Sequence, residues 1–384
     1  MELREKFLPY NLPLIDENEI NEVVDTLKSG WITTGPKTKQ FEDEFKKYIG
    51  AKHAIAVNSC TAGLHLSLIS SNIGSGDEVI TTPLTFCATA NVIEHCGATP
   101  VLVDIDEKTF NIDVNKIEEK ITYKTKAIMP VHFAGQSCEM DEIKRIAEKY
   151  NLLIIEDAAH SVGTEYKGQK TGKDSYSASY SFYATKNLTT AEGGMIVTNN
   201  DELAEKLRIL SLHGISKDAW KRYTSEGNWY YEVIYPGFKY NMTDIQASLG
   251  IHQLRKIDNF NKIRAQYAKI YNEAFADIFE IITPQEYVSG MIWHLYCIRL
   301  QDIPRDKFIE KMKEYNIGTS VHFIPIHNHP YYKDKYKFQP NAFPVVDKLF
   351  GEIVSLPLYP KMTLADVNYV ITATLRVIKE LKFT

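Results

Sequence analysis

The chain has 384 residues, a formal net charge of −5 at pH 7 and 44% hydrophobic residues, an ordinary composition for a globular protein of one or two domains. The acidic balance gives no reason to expect a nucleic-acid partner. No apolar run is long enough to span a bilayer, and the charged amino-terminal residues lack the apolar core of a signal peptide. We therefore expect a cytoplasmic protein without a membrane partner.

The cysteines point to the same location. There are five, an odd number, and none forms a CxxC pair. This usage favours reduced thiols in a reducing compartment over a disulfide framework or a metal site.

In chain order, the first predicted element is a helix that begins near Asp16 and Glu17, which can cap it and complement its dipole. Apolar residues then share one face at helical spacing, namely Ile20, Val23, Val24 and Leu27. Residues 31–36 follow as a tryptophan, two hydroxyl residues and a Gly-Pro turn. Alone this segment is a surface turn, and beside a pocket it could form a substrate rim.

Short apolar runs then alternate with helical stretches, at residues 54–57, 77–80, 100–103, 127–131 and 152–155. This alternation favours a buried, mainly parallel sheet, in which ligands bind beyond the carboxyl ends of the strands. Polar residues gather at those ends, namely Ser59, Thr61, Asn91, His132, Asp157 and His160. At residues 58–63 a strand leads into a helix start that could bind phosphate on its amides. Ordinary capping by a serine or threonine is the alternative, and taken alone the favoured one.

The second half of the chain is less regular. Residues 220–240 are rich in aromatic residues and glycine, and we expect them to pack against something, such as a partner subunit. A long helix is predicted from Thr243 towards Tyr267, and strands are predicted at 295–298 and 319–322. We place the domain boundary near residue 250, with a large domain at 1–250 and an α+β domain at 251–384.

Lys186 lies in a polar loop, at 181–194, between two strand signals and among hydroxyl residues. A solvated loop lysine is the simplest interpretation, and a Schiff-base nucleophile is the other. Asp157 decides between them, because a pyridinium cofactor needs an amine for its aldehyde and a carboxylate opposite its ring nitrogen. Phe86 is placed to cover the ring. Phosphate ligands could come from Ser59, Thr61, Ala62 and Ser181.

A metal site is a weaker hypothesis. His322, His327 and His329 lie close in sequence, but prolines interrupt them and no helix presents two of them at i, i+4. We therefore expect no metal and interpret these histidines as pocket or loop residues.

Several segments together carry a family resemblance. Residues 58–62, 82–86, 156–161 and 181–194 resemble the matching blocks of the DegT/DnrJ/EryC1/StrS nucleotide-sugar aminotransferases, as do 31–36, 240–247 and 322–327. The resemblance runs along almost the whole chain in the expected order. It is strongest to the spore-coat polysaccharide and UDP-4-amino-sugar members. It implies a fold type I pyridoxal-phosphate-dependent transferase, an α/β fold whose large domain has a mainly parallel seven-stranded sheet flanked by helices, with a smaller carboxy-terminal α+β domain.

The resemblance also implies roles for individual residues. Lys186 would bind the aldehyde of pyridoxal 5′-phosphate and shuttle a proton, and Asp157 would hold the ring nitrogen. His160, where many relatives have Gln, would lie near the phenolic oxygen, and Phe86 would stack on the ring. The phosphate ligands would be Thr61, Ala62 and Ser181, with Asn241 reaching the phosphate of the neighbouring subunit in a homodimer with shared active sites. Residues near the sugar would be Trp31, Thr33, Thr34, His322, Phe323 and His327.

The implied reaction moves the amino group of L-glutamate to a nucleotide-linked 4-keto-6-deoxy sugar for surface polysaccharide or glycan biosynthesis. Two positions depart from the family pattern, since Tyr183 replaces a frequent His and Ala191 a frequent Gly. Related sugar dehydratases have His in place of the lysine, so Lys186 favours transamination. A pyridoxal-phosphate-dependent dehydratase and a non-catalytic, cofactor-binding regulatory protein remain the alternatives.

Overall fold

A computed structural model describes residues 3–216 and 230–382 of the chain. Residues 220–229, the first part of the aromatic stretch expected to pack against a partner, lie outside the described residues. The second part, 230–240, is described and runs as irregular chain with isolated β-bridges.

The first two thirds of the chain is built around a seven-stranded sheet. Its strands are β1 (His53–Val57), β2 (Glu78–Thr81), β3 (Thr99–Leu102), β4 (Thr125–Ile128), β5 (Leu153–Asp157), β8 (Ser177–Ser181) and β9 (Gly194–Thr198), while β6 (Glu165–Tyr166) and β7 (Gln169–Lys170) form a separate hairpin. The spatial order is β1-β9-β8-β5-β4-β2-β3. Strand β9 runs antiparallel to both of its neighbours, and every other pair is parallel. The predicted, mainly parallel seven-stranded sheet is confirmed.

Helices flank this sheet and connect it to the rest of the chain. In the described residues they are α1 (Glu17–Ser29), α2 (Pro36–Ile49), α3 (Cys60–Ser70), α4 (Cys87–His95), α5 (Met140–Tyr150), α6 (Asp201–Ser211), α7 (Asp244–Phe275), α8 (Arg305–Glu314), α9 (Pro330–Tyr336), α10 (Pro344–Glu352) and α11 (Leu364–Lys382). Within those residues, none of these helices is both long enough and apolar enough to cross a membrane.

Both faces of the sheet are covered, as alternate residues of β1 show. Ile55 and Val57 pack with α3 and α6, whereas Ala54 and Ala56 pack with α2 and α7 on the opposite face. All four side chains are buried. A strand that is buried on both faces appears in the sequence as an unbroken apolar run, which explains why these strands could be predicted.

Helix α1 begins at the predicted cap, Asp16, whose side chain accepts the backbone N–H of Asn18 at 2.9 Å. Its apolar side faces outward, however, with Ile20, Val24 and Leu27 between 38% and 52% exposed. The face against α7 is polar instead: the fully buried Glu19 accepts a hydrogen bond from Gln253 at 2.8 Å and pairs with Lys256 at 2.5 Å. Because these buried polar groups are paired across the interface, the helix can pack this way.

The chain beyond α7 forms a small antiparallel sheet in the order β10 (Ile281–Ile282), β11 (Tyr296–Leu300) and β12 (Ile353–Leu356). It packs against α8, α11 and the second half of α7. The amino-terminal Leu8 joins the same core and pairs with Ile317. This is the α+β arrangement expected for the carboxy-terminal part.

Two finer expectations for this region have different outcomes. The strand predicted at 295–298 corresponds to β11, whereas residues 319–322 form no regular strand and contribute only a bridge from Ser320 to Ser355. Helix α7 runs through residues 250 and 251 without a break, packing on α2 in its first half and on the small sheet in its second. The domain boundary at that position stays a prediction.

Ala191 gives a test of backbone strain. Its φ is +67°, in the left-handed region, where a side chain with a β-carbon costs about 1–2 kcal/mol. Glycine avoids this cost but gains freedom in the unfolded chain. We expect Ala191→Gly to raise the free energy of unfolding by about 0.5–1 kcal/mol in a denaturant titration.

The matched control is the same substitution at Ala265, which is exposed in the interior of α7. There glycine should lower the free energy of unfolding by about 1 kcal/mol, because it weakens a regular helix. Equal losses at both positions would contradict strain at residue 191.

Candidate active site

Asp157 and Lys186 come from neighbouring parallel strands. Asp157 ends β5 and is paired with Ser179 of β8, and Lys186 lies in the loop that follows β8. Carboxyl ends of parallel strands meet at one edge of a sheet. The charges on the two side chains act on each other, since each influences the pKa of the other. The structure therefore brings together the amine and the acid on which the sequence-based prediction depends.

The Lys186 amine is held in a desolvated environment. Burial lowers the pKa of Lys186 to about 8, and the negative charge of Asp157 opposes this shift. Among the described residues, no side-chain hydrogen bond or ion pair engages its Nζ. At pH 7 about a tenth of such a lysine is the free amine, far more than for an ordinary lysine, and this is the form that attacks a carbonyl carbon.

The Asp157 carboxylate is buried and fixed by two hydrogen bonds. Oδ1 accepts the N–H of Ala159 at 3.1 Å, and Oδ2 accepts the hydroxyl of Thr89 at 2.7 Å. Burial raises the pKa of Asp157, and these two bonds and the charge of Lys186 oppose that shift. Within the described residues no cation forms an ion pair with it. A protonated ring nitrogen placed here would supply the missing opposite charge.

Helix α3 presents its amino terminus near the same edge. Ser59 caps the helix, and its Oγ accepts the N–H of Ala62 at 3.0 Å. The capping alternative from the sequence is thus correct for Ser59. The amide of Thr61, in the same first turn, has no helical acceptor, as at any helix start. Capping and anion binding can therefore coexist here.

Gly194 allows this helix start to approach Ser181. It pairs with Ser181 in the sheet, and a β-carbon on Gly194 would lie 2.6 Å from the backbone nitrogen of Cys60. No other residue type fits that space. Gly194 thus lies between Ser181 and the start of α3, the helix that carries Thr61 and Ala62, and the role of these three residues as phosphate ligands stays a prediction.

An aromatic cluster lies beside these groups. The ring of Phe323 is 5.9 Å from that of Phe86 and 5.8 Å from that of His160, almost parallel to the latter. Phe86 is 59% exposed, so its ring is available to a ligand. His160 accepts the N–H of Ala134 at 3.3 Å, and burial, followed by the charge of Lys186, keeps its pKa well below the ordinary value. His160 is therefore a neutral imidazole at physiological pH.

The two other predicted substrate histidines lie apart. His322 is hydrogen-bonded to Ser355 at 2.7 Å, and burial together with the charge of Lys186 lowers its pKa to about 4. His327 instead pairs with Asp347 at 2.8 Å and packs on Phe343. No described contact joins it to Lys186 or Asp157. Its part in substrate binding stays a prediction. The described residues contain no group of three or more side chains that could hold a metal ion.

The predicted rim is fixed by hydrogen bonds within the chain. Trp31 Nε1 donates to the carbonyl of Thr34 at 3.0 Å, and the carbonyl of Thr33 accepts the N–H of Asp244 at 3.1 Å. Asn241 donates to the hydroxyl of Thr34 at 2.6 Å. Asn241 thus lies against the rim, and its predicted contact with a neighbouring subunit stays a prediction.

Three further residues lie near the site and were not predicted from the sequence: His294, Asn187 and Thr89. The ring of His294 lies 4.3 Å from that of His160, and its Nδ1 bonds to the side-chain oxygen of Asn187 at 2.8 Å. No local pattern could indicate a contact between residues so far apart in sequence. Thr89, in the first turn of α4, follows Thr85 by four residues, and this pair of nearby hydroxyl residues is the signal that the sequence offered for their contact.

This fold and this lysine–carboxylate pair define the class of fold type I, pyridoxal-phosphate-dependent transferases. The profile of the DegT/DnrJ/EryC1/StrS aminotransferase family matches residues 13–375. The chain belongs to this family, and the predicted family is confirmed.

Individual relatives agree over nearly their full length. The spore coat polysaccharide biosynthesis protein SpsC of Bacillus subtilis is 53% identical over 98% of both chains. The uncharacterized protein MJ1066 of Methanocaldococcus jannaschii is 57% identical over 98% of this chain and 99% of its own. Spr1654 of Streptococcus pneumoniae, a candidate sugar aminotransferase, is 36% identical in its PMP form with a TM-score of 0.92, covering 97% of this chain and 100% of its own. It is also solved in a PLP form. The predicted fold type and the predicted cofactor are thus confirmed.

The lowered pKa of Lys186 predicts an unusual pH dependence of its reactivity. In cofactor-free protein, acetylation of Lys186 should rise with a midpoint near pH 8, instead of near 10.4 as for an ordinary lysine. Competitive labelling across a pH series, read by peptide mass spectrometry, measures this midpoint.

Asp157→Asn is the matched variant, because it removes the charge that stabilises the ammonium form. Its Lys186 midpoint should fall below that of the wild type. A wild-type midpoint above pH 10, or an upward shift in the variant, would contradict the desolvated pair.

Proposed function

We propose that this protein is a pyridoxal-phosphate-dependent aminotransferase that moves the amino group of L-glutamate to the keto carbon of a nucleotide-linked 4-keto-6-deoxy sugar. The observation that carries the proposal is the pair of Lys186 and Asp157 at one sheet edge, with an unpartnered amine of lowered pKa beside a buried carboxylate. Few other reactions require both groups in this arrangement.

The residues present fit the cofactor. Lys186 would bind its aldehyde carbon through Nζ, and Asp157 would keep a proton on the ring nitrogen. Phe86 would cover one face of the ring. The start of α3 with Thr61 and Ala62, together with the Ser181 hydroxyl, would hold the phosphate, because amides and the helix dipole favour an anion there. Bound in this way, pyridoxal phosphate supplies an electron sink for a carbanion at the amino-acid carbon.

Lys186 would have a second role, in moving the proton that the reaction requires. Burial lowers the pKa of its amine to about 8 in the cofactor-free protein, which would suit this amine to accept a proton from the carbon of the amino donor and to give one back near neutral pH. The lowered pKa values of His160 and His322, to which the charge of Lys186 contributes, leave both rings neutral at physiological pH, so neither adds a positive charge that would lower the basicity of the lysine further.

The sugar substrate is supported by the relatives and by the rim. SpsC acts in spore coat polysaccharide biosynthesis, and we infer a polysaccharide or glycan pathway for this chain as well. Trp31, Thr33, Thr34, His322 and Phe323 provide aromatic faces and hydrogen-bonding groups, which suit a sugar. A cytoplasmic location is part of the proposal, and the five unpaired cysteines support it.

A homodimer with shared active sites completes the proposal. Residues 230–235 expose several large side chains, Tyr230, Tyr231, Val233, Ile234 and Tyr235, each between 41% and 64% exposed. An exposed apolar strip of this kind suits an interface. We propose that it packs against a second copy and that Asn241 then reaches the phosphate of the neighbouring site.

The half-reaction with glutamate tests the reaction type. Purified protein loaded with pyridoxal phosphate should convert its visible absorption band to that of the amine form when glutamate is added without any sugar. Lys186→Ala should bind the cofactor weakly and fail to convert it, because the proton-transferring amine is missing. Absorption spectroscopy with stopped-flow mixing measures both.

The alternatives give different results. A loaded protein that binds the cofactor but shows no conversion would favour the regulatory, non-catalytic function. Loss of oxygen from a ketosugar without amination would favour the dehydratase. Normal conversion by Lys186→Ala would refute the assignment of the lysine. A panel of 4-keto nucleotide sugars then identifies the acceptor.

The shared site predicts complementation between two inactive variants. Mixed dimers of Lys186→Ala and Asn241→Ala contain one site with both native residues if Asn241 acts across the interface. After subunit exchange, random pairing should restore about a quarter of wild-type activity. Each variant alone is the control.

Complementation by subunit exchange fails if Asn241 serves its own chain, because every site then lacks one of the two residues. A monomer in sedimentation experiments would likewise refute the shared site.

A further inference from the structure

Two buried hydroxyl groups form a hydrogen-bonded chain that ends on Asp157, and the proposed reaction assigns them no role. Thr89 Oγ1 lies 2.7 Å from Asp157 Oδ2, and Thr85 Oγ1 lies 2.6 Å from Thr89 Oγ1. Thr85 and Thr89 are 2% and 0% exposed. Water therefore cannot replace either hydroxyl as a partner.

The direction of this chain follows from proton counting. An ionised carboxylate accepts only, so Thr89 must donate its single proton to Asp157. The contact between the two threonines then requires Thr85 to donate to Thr89. Hydrogen bonds in such a chain polarise one another, which strengthens the final bond to the carboxylate.

Helix α4 connects this chain to the ring face. Phe86 is the residue before the helix, and Thr89 lies in its first turn, where its N–H donates to the carbonyl of Phe86 at 3.2 Å. One helix start therefore carries the aromatic side chain on one side and the hydroxyl that holds Asp157 on the other. A shift of α4 would move both together.

We propose that Thr89, supported by Thr85, is a positioning residue that keeps Asp157 ionised and oriented towards the ring nitrogen of the cofactor. The inference rests on the proposed function, because it assigns a purpose to Thr89 only where Asp157 holds a pyridinium ring. Thr89 does not touch the amino donor and is not a catalytic residue.

Other groups also influence the pKa of Asp157, and a substitution of Thr89 leaves them unchanged. The positive charge of Lys186 favours its ionised form, as does that of His132, while the backbone N–H of Ala159 donates to its other oxygen. Cys60 stays a neutral thiol, since burial raises its pKa well above the ordinary value. A substitution of Thr89 therefore removes one of several groups that favour the ionised form of Asp157.

The test compares three variants of the loaded protein. Thr89→Val removes the hydroxyl and keeps the shape, and Thr89→Ser keeps the hydroxyl. Thr81→Val is the matched control, because Thr81 is also fully buried at this end of the sheet, but its hydroxyl donates to the carbonyl of Met129. The measurements are the rate of the glutamate half-reaction, the dissociation constant of the cofactor, the pH titration of its visible band and the melting temperature of the cofactor-free protein.

Thr89→Val should slow the half-reaction about tenfold or more and weaken cofactor binding, since a hydrogen bond to a charged group is lost. It should also shift the pH titration of the bound cofactor, and the apparent KM for glutamate should change less than kcat. Thr89→Ser should stay within about threefold of wild type, and Thr81→Val should alter melting alone.

A Thr89→Val protein with an unchanged pH titration and half-reaction would overturn the proposal. A loss confined to melting temperature would also overturn it, because that result marks a purely structural hydroxyl. Failure of the proposed function is distinguishable, since the wild-type protein itself would then show no glutamate-dependent conversion.

Discussion

The desolvation of one amine and one carboxylate at a common sheet edge is the constraint on which the site depends. Burial pushes Lys186 and Asp157 towards their neutral forms, and each partly opposes that shift in the other. Neither group is fully satisfied by the protein alone, since in the described residues Asp157 has no ion-pair partner and Lys186 Nζ no hydrogen bond. A cationic heterocycle with an aldehyde satisfies both groups at once.

The sheet topology produces this arrangement without long insertions. Strands β5 and β8 are parallel neighbours, so a residue that ends one and a loop that follows the other reach the same edge. The single antiparallel strand, β9, places Gly194 between Ser181 and the start of α3, where only a glycine permits the close approach. The helix amino terminus thereby comes close to the edge that carries Asp157.

Much of the sheet and of the Asp157–Lys186 arrangement was predictable from the sequence, because the order and direction of parallel strands follow regular rules. Unbroken apolar runs marked the strands, and the residues that follow them, such as Asp157, had to lie together at the carboxyl edge. The orientation of an element that depends on contacts with residues distant in sequence was not predictable. Helix α1 packs its polar face on α7 because Glu19 bonds to Gln253 and Lys256 of that helix. The sequence of α1 alone does not indicate these two partners. His294 likewise reaches the site only through tertiary packing.

The small domain contributes to the site by holding the lysine loop. Asn187, next to Lys186, accepts a hydrogen bond from His294 and donates one to Asn261 of α7 at 2.8 Å. The buried Arg264, one turn further along α7, donates to the carbonyls of His294 and Leu358 at 3.2 and 2.6 Å, and burial lowers its pKa to about 9. A shift of the small sheet relative to α7 would therefore be transmitted to Asn187. The lysine loop is thus tied both to α7 and to the segment before β11 by hydrogen bonds of the buried Asn187, and breaking either bond would leave a costly unpaired polar group.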